Sequence, residues 1–227
     1  MSNNIRIGLV EDQHLFREGM KAILTMEDDL EVTFESADGF SVLDKLSKEV
    51  LVPNVMLVDL SLPPNGQEEF NGVHVTDQLL ENYPDMKVII LSVHDEEAFI
   101  AELIEHGAHG YLVKDSDPNE VVDAIRSAHH KGSYINHRTL MAIQSKMKGA
   151  IDATSSFVPV MENLTRREVE ILQLVCEQLT AEEIGERLFI SEKTVNGHKN
   201  NLLRKTQSRN MAGLVIYAVK NQIVSLE

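Results

Sequence analysis

Short apolar runs recur along the first half of the chain, with helix-patterned segments between them. IRIGLV (5–10), EVTFES (31–36), NVMLVD (54–59), KVIILS (87–92) and GYLVK (110–114) read as strands. Phe16–Thr25, Val42–Lys48, Val73–Glu81, Glu96–Glu105 and Asn119–Lys131 carry apolar residues at helical spacing. Alternating strands and helices make a parallel sheet covered on both faces. Five such units predict a flavodoxin-like, doubly wound five-stranded α/β fold, with ligands beyond the carboxyl ends of the strands. Residues 134–148 are polar and weakly helical, and GAIDATSSFVPVMEN (149–163) has no period, so it reads as a linker. Beyond it the pattern is helical throughout. The expected division is 1–132 for the α/β unit, 133–160 for a connecting helix and linker, and 161–227 for a separate all-α unit.

The length of 227 residues suits two domains of about 100–150 residues each. No apolar run approaches the roughly 18–20 residues of a membrane span. The N-terminus lacks the basic-then-apolar pattern of a signal peptide, so a cytoplasmic protein is expected. The lone Cys176 falls on the apolar side of a helical pattern and reads as an inert buried thiol. Net charge is −15, which at first argues against a nucleic-acid partner. Its distribution reverses that argument. Residues 1–160 hold 12 Lys+Arg against 27 Asp+Glu, whereas residues 161–227 hold nine of each. No acid occurs from Lys193 to Leu226, a stretch with six Lys or Arg, and such a local basic surface can hold phosphate.

The polar residues at the predicted strand ends form a set. Glu11 and Asp12 follow the first strand, Asp59 ends the third, Ser92 the fourth and Lys114 the fifth. Parallel strands end on one edge, so these groups converge there. Clustered carboxylates repel, and a hard cation such as Mg²⁺, which takes oxygen ligands, would relieve that repulsion. A carboxylate beside such a cation can attack phosphorus, with lysine stabilising the charge on the transferring oxygens.

Residues 4–132 resemble the receiver domains of two-component response regulators. The matching pieces are Glu11-Asp12, VDLSLP around Asp59, LSVHDEE from near Ser92 and GYLVKD around Lys114. The resemblance implies that Asp59 accepts a phosphoryl group from a histidine kinase. It implies that Glu11, Asp12, Asp59 and the Ser61 carbonyl hold Mg²⁺. Lys114 would pair with the phosphate, Ser92 would hydrogen-bond to it, and Tyr111 would swing inward behind the moving hydroxyl. Two departures stand out. Seven residues, PNGQEEF, separate Pro63 from Asn71-Gly72 where receivers have about two, a cheap surface insertion in entropic terms. The acidic pair is Glu-Asp where many receivers have Asp-Asp.

In the C-terminal part, Thr165 precedes RREVEILQLVCEQL, Thr180 can cap AEEIGERL, and Ser191 can cap EKTVNGHKNNLLRK. Two short helices joined by a tight turn make a helix-turn-helix, whose second helix usually enters the major groove. At about 100° per residue, Val195, His198, Leu202 and Leu203 share one side, and Lys193, Gly197, Asn200 and Arg204 the other. Asn is a natural reader of adenine, and Thr194 near the helix start could reach a phosphate. The pattern alone leaves a protein-interaction bundle open. Residues 164–206 also resemble the helix-turn-helix of the NarL/LuxR class, through LTRRE, EEIGERLFISEKTV, His198 and Arg204-Lys205. That resemblance implies four helices and binding to double-stranded promoter DNA. The implied contact set is Lys193, Thr194, Asn196, Gly197, Lys199, Asn200 and Arg204. It further implies a homodimer on phosphorylation, with the helix around 210–222 offering its apolar face to a second copy or packing it internally. Gln178 and Gly185 stand where Gly and Ala are usual, and Thr206 where Leu is usual. Lys199 replaces an apolar residue on the inward side, where its stem could pack while its amine snorkels. His198 reads as structural, and His129-His130 as solvated helix surface.

The expected function is therefore a phosphorylation-controlled transcription regulator and not an enzyme. A haloacid-dehalogenase-type enzyme would place a second aspartate two residues after the nucleophile, where this chain has Ser61. An interaction protein without DNA binding is disfavoured by the basic stripe from Lys193 to Arg209. A regulator independent of phosphorylation is disfavoured by the complete acidic set.

Overall fold

A computed structural model describes residues 4–64, 66, 70–93, 97–142, 164–221 and 223–224. The α/β part runs β1 (Ile5–Val10), α1 (His14–Leu24), β2 (Leu30–Ser36), α2 (Val42–Leu46), β3 (Val55–Asp59), α3 (Gly72–Asn82), β4 (Lys87–Ser92), α4 (Glu97–Glu105), β5 (Gly110–Val113) and α5 (Pro118–Lys131). The strands form one sheet in the order β2-β1-β3-β4-β5, and every pairing is parallel.

Side chains alternate across the sheet and so fill two cores. Ile7, Leu9, Val55, Leu57, Ile89 and Leu91 face α1 and α5, meeting Met20, Leu24, Val121 and Ile125. Val10, Met56, Val58, Val88 and Ile90 face α2, α3 and α4, meeting Leu46, Val75, Leu79, Ile100 and Leu103. β3 lies in the middle and is buried at every position, which explains its unbroken apolar run. The five strands and five helices stand where the sequence pattern puts them, with shifts at the ends. α1 begins two residues early, at His14, although Gln13 makes no side-chain cap there. β5 stops at Val113, so Lys114 is the first residue beyond the sheet.

Residues 137–142 are helical. The linker expected at 149–163 lies outside the described residues. Four helices follow: α6 (Arg166–Cys176), α7 (Ala181–Leu188), α8 (Glu192–Thr206) and α9 (Met211–Lys220). They have 8–15 residues each, too few to hold alone in water, so caps and packing decide them. Thr165 with Glu168, and Thr180 with Glu183, form reciprocal capping boxes. Ser191 caps α8 and Asn210 caps α9. Ile171, Leu172, Ile184, Val195, Leu202, Leu214 and Ala218 close a common core.

Of the unusual residues, Gly185 has a visible reason and Gln178 does not. Gln178 has φ +60°, the left-handed conformation for which Gly is the ordinary choice. At Gly185 a Cβ would lie 2.8 Å from the Ile190 carbonyl oxygen, so the bare Cα lets α7 turn tightly into α8.

The helical part also rests on the sheet part. Ala212 and Ile216 of α9 join the same apolar cluster as Ile100, Leu103 and Ile104 of α4. The Asn210 amide donates to the Gly107 and Ala108 carbonyls while its oxygen accepts from Gly213 N–H. Arg209 reaches Asp77 and the His106 carbonyl, each at 2.9 Å.

Candidate functional site

The carboxyl ends of β1, β3 and β5 bring Glu11, Asp59 and Lys114 into contact. Asp59 ends β3 in the sheet's centre and is 1% exposed. Lys114 Nζ lies 2.9 Å from Asp59 Oδ2 and 2.7 Å from Glu11 Oε2. The Phe16 ring lies 4.8 Å from the same ammonium and covers it from solvent. Two main-chain donors aim the carboxylates: Ser61 N–H to Asp59 Oδ1 at 3.1 Å, and Gln13 N–H to Glu11 Oε1 at 3.0 Å. Arg17 donates to the Glu11 carbonyl and fixes the loop from behind.

The electrostatics follow from burial. Burial raises the Glu11 pKa, the nearby Asp59 charge raises it further, and the Lys114 hydrogen bond opposes both. Burial works against the Lys114 charge, yet its hydrogen bonds to Glu11 and Asp59 outweigh that and leave its pKa raised. The ammonium is thus an internal counter-ion for two buried carboxylates.

Oxygens of Glu11, Asp12 and Asp59 approach within 4.8 Å of one another. Glu11 Oε2 accepts no well-aligned hydrogen bond among the described residues and has only the ion pair to Lys114. An all-oxygen donor set of this kind, gathered at one edge of the sheet, fits Mg²⁺.

Ser92 ends β4 fully buried, and the Lys114 N–H donates to its carbonyl at 2.8 Å. Tyr111 on β5 is already inside, 1% exposed, rather than waiting at the surface. Residues 94–96 of LSVHDEE, and residues 65 and 67–69 of the insertion, lie outside the described residues.

Gly72 is a positioning residue that motif reading passed over. Its N–H donates to the Leu60 carbonyl at 2.9 Å, and a Cβ there would sit 2.5 Å from the Asp59 carbonyl oxygen. The acceptor's own backbone needs a residue without a side chain. The available signal was the Asn71-Gly72 helix start.

On α8, Lys193, Thr194, Asn196, Gly197, Asn200 and Arg204 are exposed. Lys199 is different, only 7% exposed, with burial lowering its pKa. It lines a cleft between the helical part and the base of the sheet part. Asn196 and Asn200 line the same cleft, so part of the expected contact face is turned toward the chain itself. His198 is half-buried, and burial pushes the Cys176 thiol up to about 12, in keeping with an unreactive role. His129 is half-buried, while His130 is exposed and packs edge-on against it.

A doubly wound sheet with an acid–lysine centre at its strand ends, joined to a capped helix-turn-helix, defines a receiver coupled to a DNA-binding effector. Residues 7–126 match the response regulator receiver domain, and residues 162–218 match the luxR family of bacterial regulatory proteins. The chain belongs to the response regulators that combine these two domains. It is 35% identical over 230 residues to the transcriptional regulatory protein DegU of Brevibacillus brevis, covering 96% of this chain and 94% of that one. It is 31% identical to the oxygen regulatory protein NreC of Staphylococcus carnosus, covering 97% of this chain and 99% of that one. A solved complex of the two-component response regulator RcsB with DNA shares the fold at a TM-score of 0.55 and 19% identity, over 96% of this chain and 99% of that one.

Proposed function

We propose that Asp59 is the phosphoacceptor of a switch that controls promoter binding by α8. The observation that carries this is Lys114, one ammonium held against both Asp59 and Glu11 at the end of the central strands. A histidine kinase supplies the phosphoryl group. An Asp59 carboxylate oxygen forms a bond to phosphorus as the phosphorus–nitrogen bond to the donor histidine breaks, and the electron pair leaves on that nitrogen. Lys114 moves from pairing with carboxylates to pairing with phosphoryl oxygens, where charge accumulates during transfer. Glu11, Asp12, Asp59 and the Ser61 carbonyl would hold Mg²⁺, which would supply charge neutralisation. Ser92 donates to the phosphoryl group, and Tyr111 packs behind it.

The switch acts through α4. In the unphosphorylated state α9 packs on α4, and Lys199, Asn196 and Asn200 face the cleft. Phosphorylation favours an arrangement in which that packing is given up, so α8 meets DNA and α9 is available to a second copy. The shift is as large as the preference of the phosphoryl group for that state. Lys193, Thr194, Gly197 and Arg204 then join the three cleft residues on DNA. The units concerned are the receiver at 1–132, the connection at 133–160 and the effector at 161–227, acting in the cytoplasm. The chain's part in the chemistry is to receive phosphate, with no substrate turned over.

Intact-protein mass spectrometry after incubation with acetyl phosphate, with and without Mg²⁺, tests the acceptor. One added phosphoryl group that needs Mg²⁺ and disappears in Asp59→Asn is the expected result. A phosphoryl group that persists in Asp59→Asn would remove Asp59 from the role, and no addition to folded wild-type protein would point to a receiver that works without this small phosphodonor, or without phosphate at all.

A further inference from the structure

A cleft of about 330 Å³ runs between the receiver and the effector. Lys87 enters it from the start of β4, Lys131 from the end of α5 and Lys199 from α8. Among the described residues, neither Lys87 nor Lys199 makes a side-chain hydrogen bond or an ion pair within 4 Å. Lys87 is half-buried, and Lys199 is more than nine-tenths buried. The acids on the cleft are Asp85 and Glu192, and His109, His129 and His130 add further nitrogen. Asp85 acts on Lys87 and Glu192 on Lys199 only through space. The fourth cation, Arg209, is committed to Asp77 and the His106 carbonyl.

A buried ammonium without a contacting counter-charge is unfavourable, and Lys199 is one, while the half-buried Lys87 adds a second cation without a contacting counter-charge to the same cleft. Burial lowers the pKa of both, which is the response of a cation that lacks its partner. Asn196 and Asn200 on the wall add amide donors suited to oxyanions.

The geometry points to a binding site in this interdomain cleft for a small, multiply charged phosphate compound, held by Lys87, Lys131 and Lys199. Such a ligand bridges the two domains and occupies Lys199, Asn196 and Asn200. It therefore stabilises the closed arrangement and competes with DNA for one face of α8. The binding half of this inference is independent of Asp59 phosphorylation. Only the competition with DNA rests on the promoter-binding role proposed above.

The test uses the full chain in Mg²⁺-free buffer, with inorganic pyrophosphate as the probe and chloride holding ionic strength constant. Calorimetry should show saturable binding of one pyrophosphate per chain. Thermal unfolding should shift upward, since a ligand at a hundred times its Kd favours the folded state about 100-fold. Lys87→Gln should weaken binding at least about tenfold, the factor that about 1.4 kcal/mol represents. Lys131→Gln provides a second, solvent-side variant should Lys87→Gln misfold. In a DNA titration, pyrophosphate should weaken binding by wild type beyond the chloride control. The comparison is made within each protein: pyrophosphate should weaken DNA binding by Lys87→Gln much less than it weakens binding by wild type. Absence of saturable binding, or unchanged binding in folded variants, would overturn the site. Saturable binding with no effect on DNA affinity would overturn its regulatory role and leave the site standing. Saturable binding by a chain that binds no DNA in either condition would overturn the promoter reading instead.

Discussion

Asn210 offers a way to loosen the two domains without damaging either. Its side chain has two duties on opposite atoms. The oxygen caps α9 through Gly213 N–H at 2.8 Å, and the amide nitrogen donates to the Gly107 and Ala108 carbonyls of the receiver. Asn210→Asp keeps a good cap and removes the donors, setting a carboxylate against two carbonyl oxygens. Two hydrogen bonds at about 0.5–1.5 kcal/mol each give a loss of about 1–3 kcal/mol in domain docking. At 1.4 kcal/mol per tenfold, the open population rises by roughly 5–150-fold. Apparent DNA affinity of the unphosphorylated protein rises with that population until the open form dominates. The assay is a titration of labelled promoter DNA, paired with small-angle scattering to follow separation of the domains. Scattering that shows separation while DNA affinity stays constant would refute the idea that docking restrains α8. Unchanged scattering would refute the energetic role given to Asn210.

Three further outcomes are expected. Glu11 has a raised pKa, so its contribution favours folding below the ordinary Glu value and is lost as pH rises through the raised value. Glu11→Gln, which mimics the protonated side chain, should melt higher than wild type at about pH 7 in EDTA and lose any Mg²⁺-dependent rise; a lower melting temperature in EDTA would contradict this. Gly72→Ala places a Cβ 2.5 Å from the Asp59 carbonyl oxygen and should cost about 1–3 kcal/mol in denaturant unfolding, with slower acceptance of phosphate from acetyl phosphate. Phe189 is 93% exposed with φ +55°, so Phe189→Gly should relieve strain at no packing loss and stabilise by about 0.5–1 kcal/mol in the same measurement.

Local patterns told most of the fold because local chemistry specifies it. β3 reads VMLVD and is buried on both faces, and Thr165, Thr180 and Ser191 cap the helices they precede. The convergence of Glu11, Asp59 and Lys114 was legible because parallel strands share a direction. Contacts that depend on docking were not legible. Lys199 is recognisable as inward-facing from its place on α8, but the sequence does not say that a receiver cleft lies beside it. Asn210 reads as a cap, and its second role exists only once Gly107 and Ala108 are in reach. Gly72 reads as a helix start, while its closeness to the Asp59 backbone comes from the return of the chain after the insertion.

That return has an evolutionary side. The chain leaves the acceptor strand at Leu60 and is stapled back to the same residue by the Gly72 N–H. Ser61 still serves the acceptor and Leu62 is buried in the core, so the excursion proper begins after Leu62, with its base clamped. Residues can be added to or removed from it without recalibrating the acceptor's backbone, because the clamp and not the contour length sets where α3 begins. The stretch beyond Leu62 can therefore lengthen or shorten beside the acceptor while the reaction centre stays as it is.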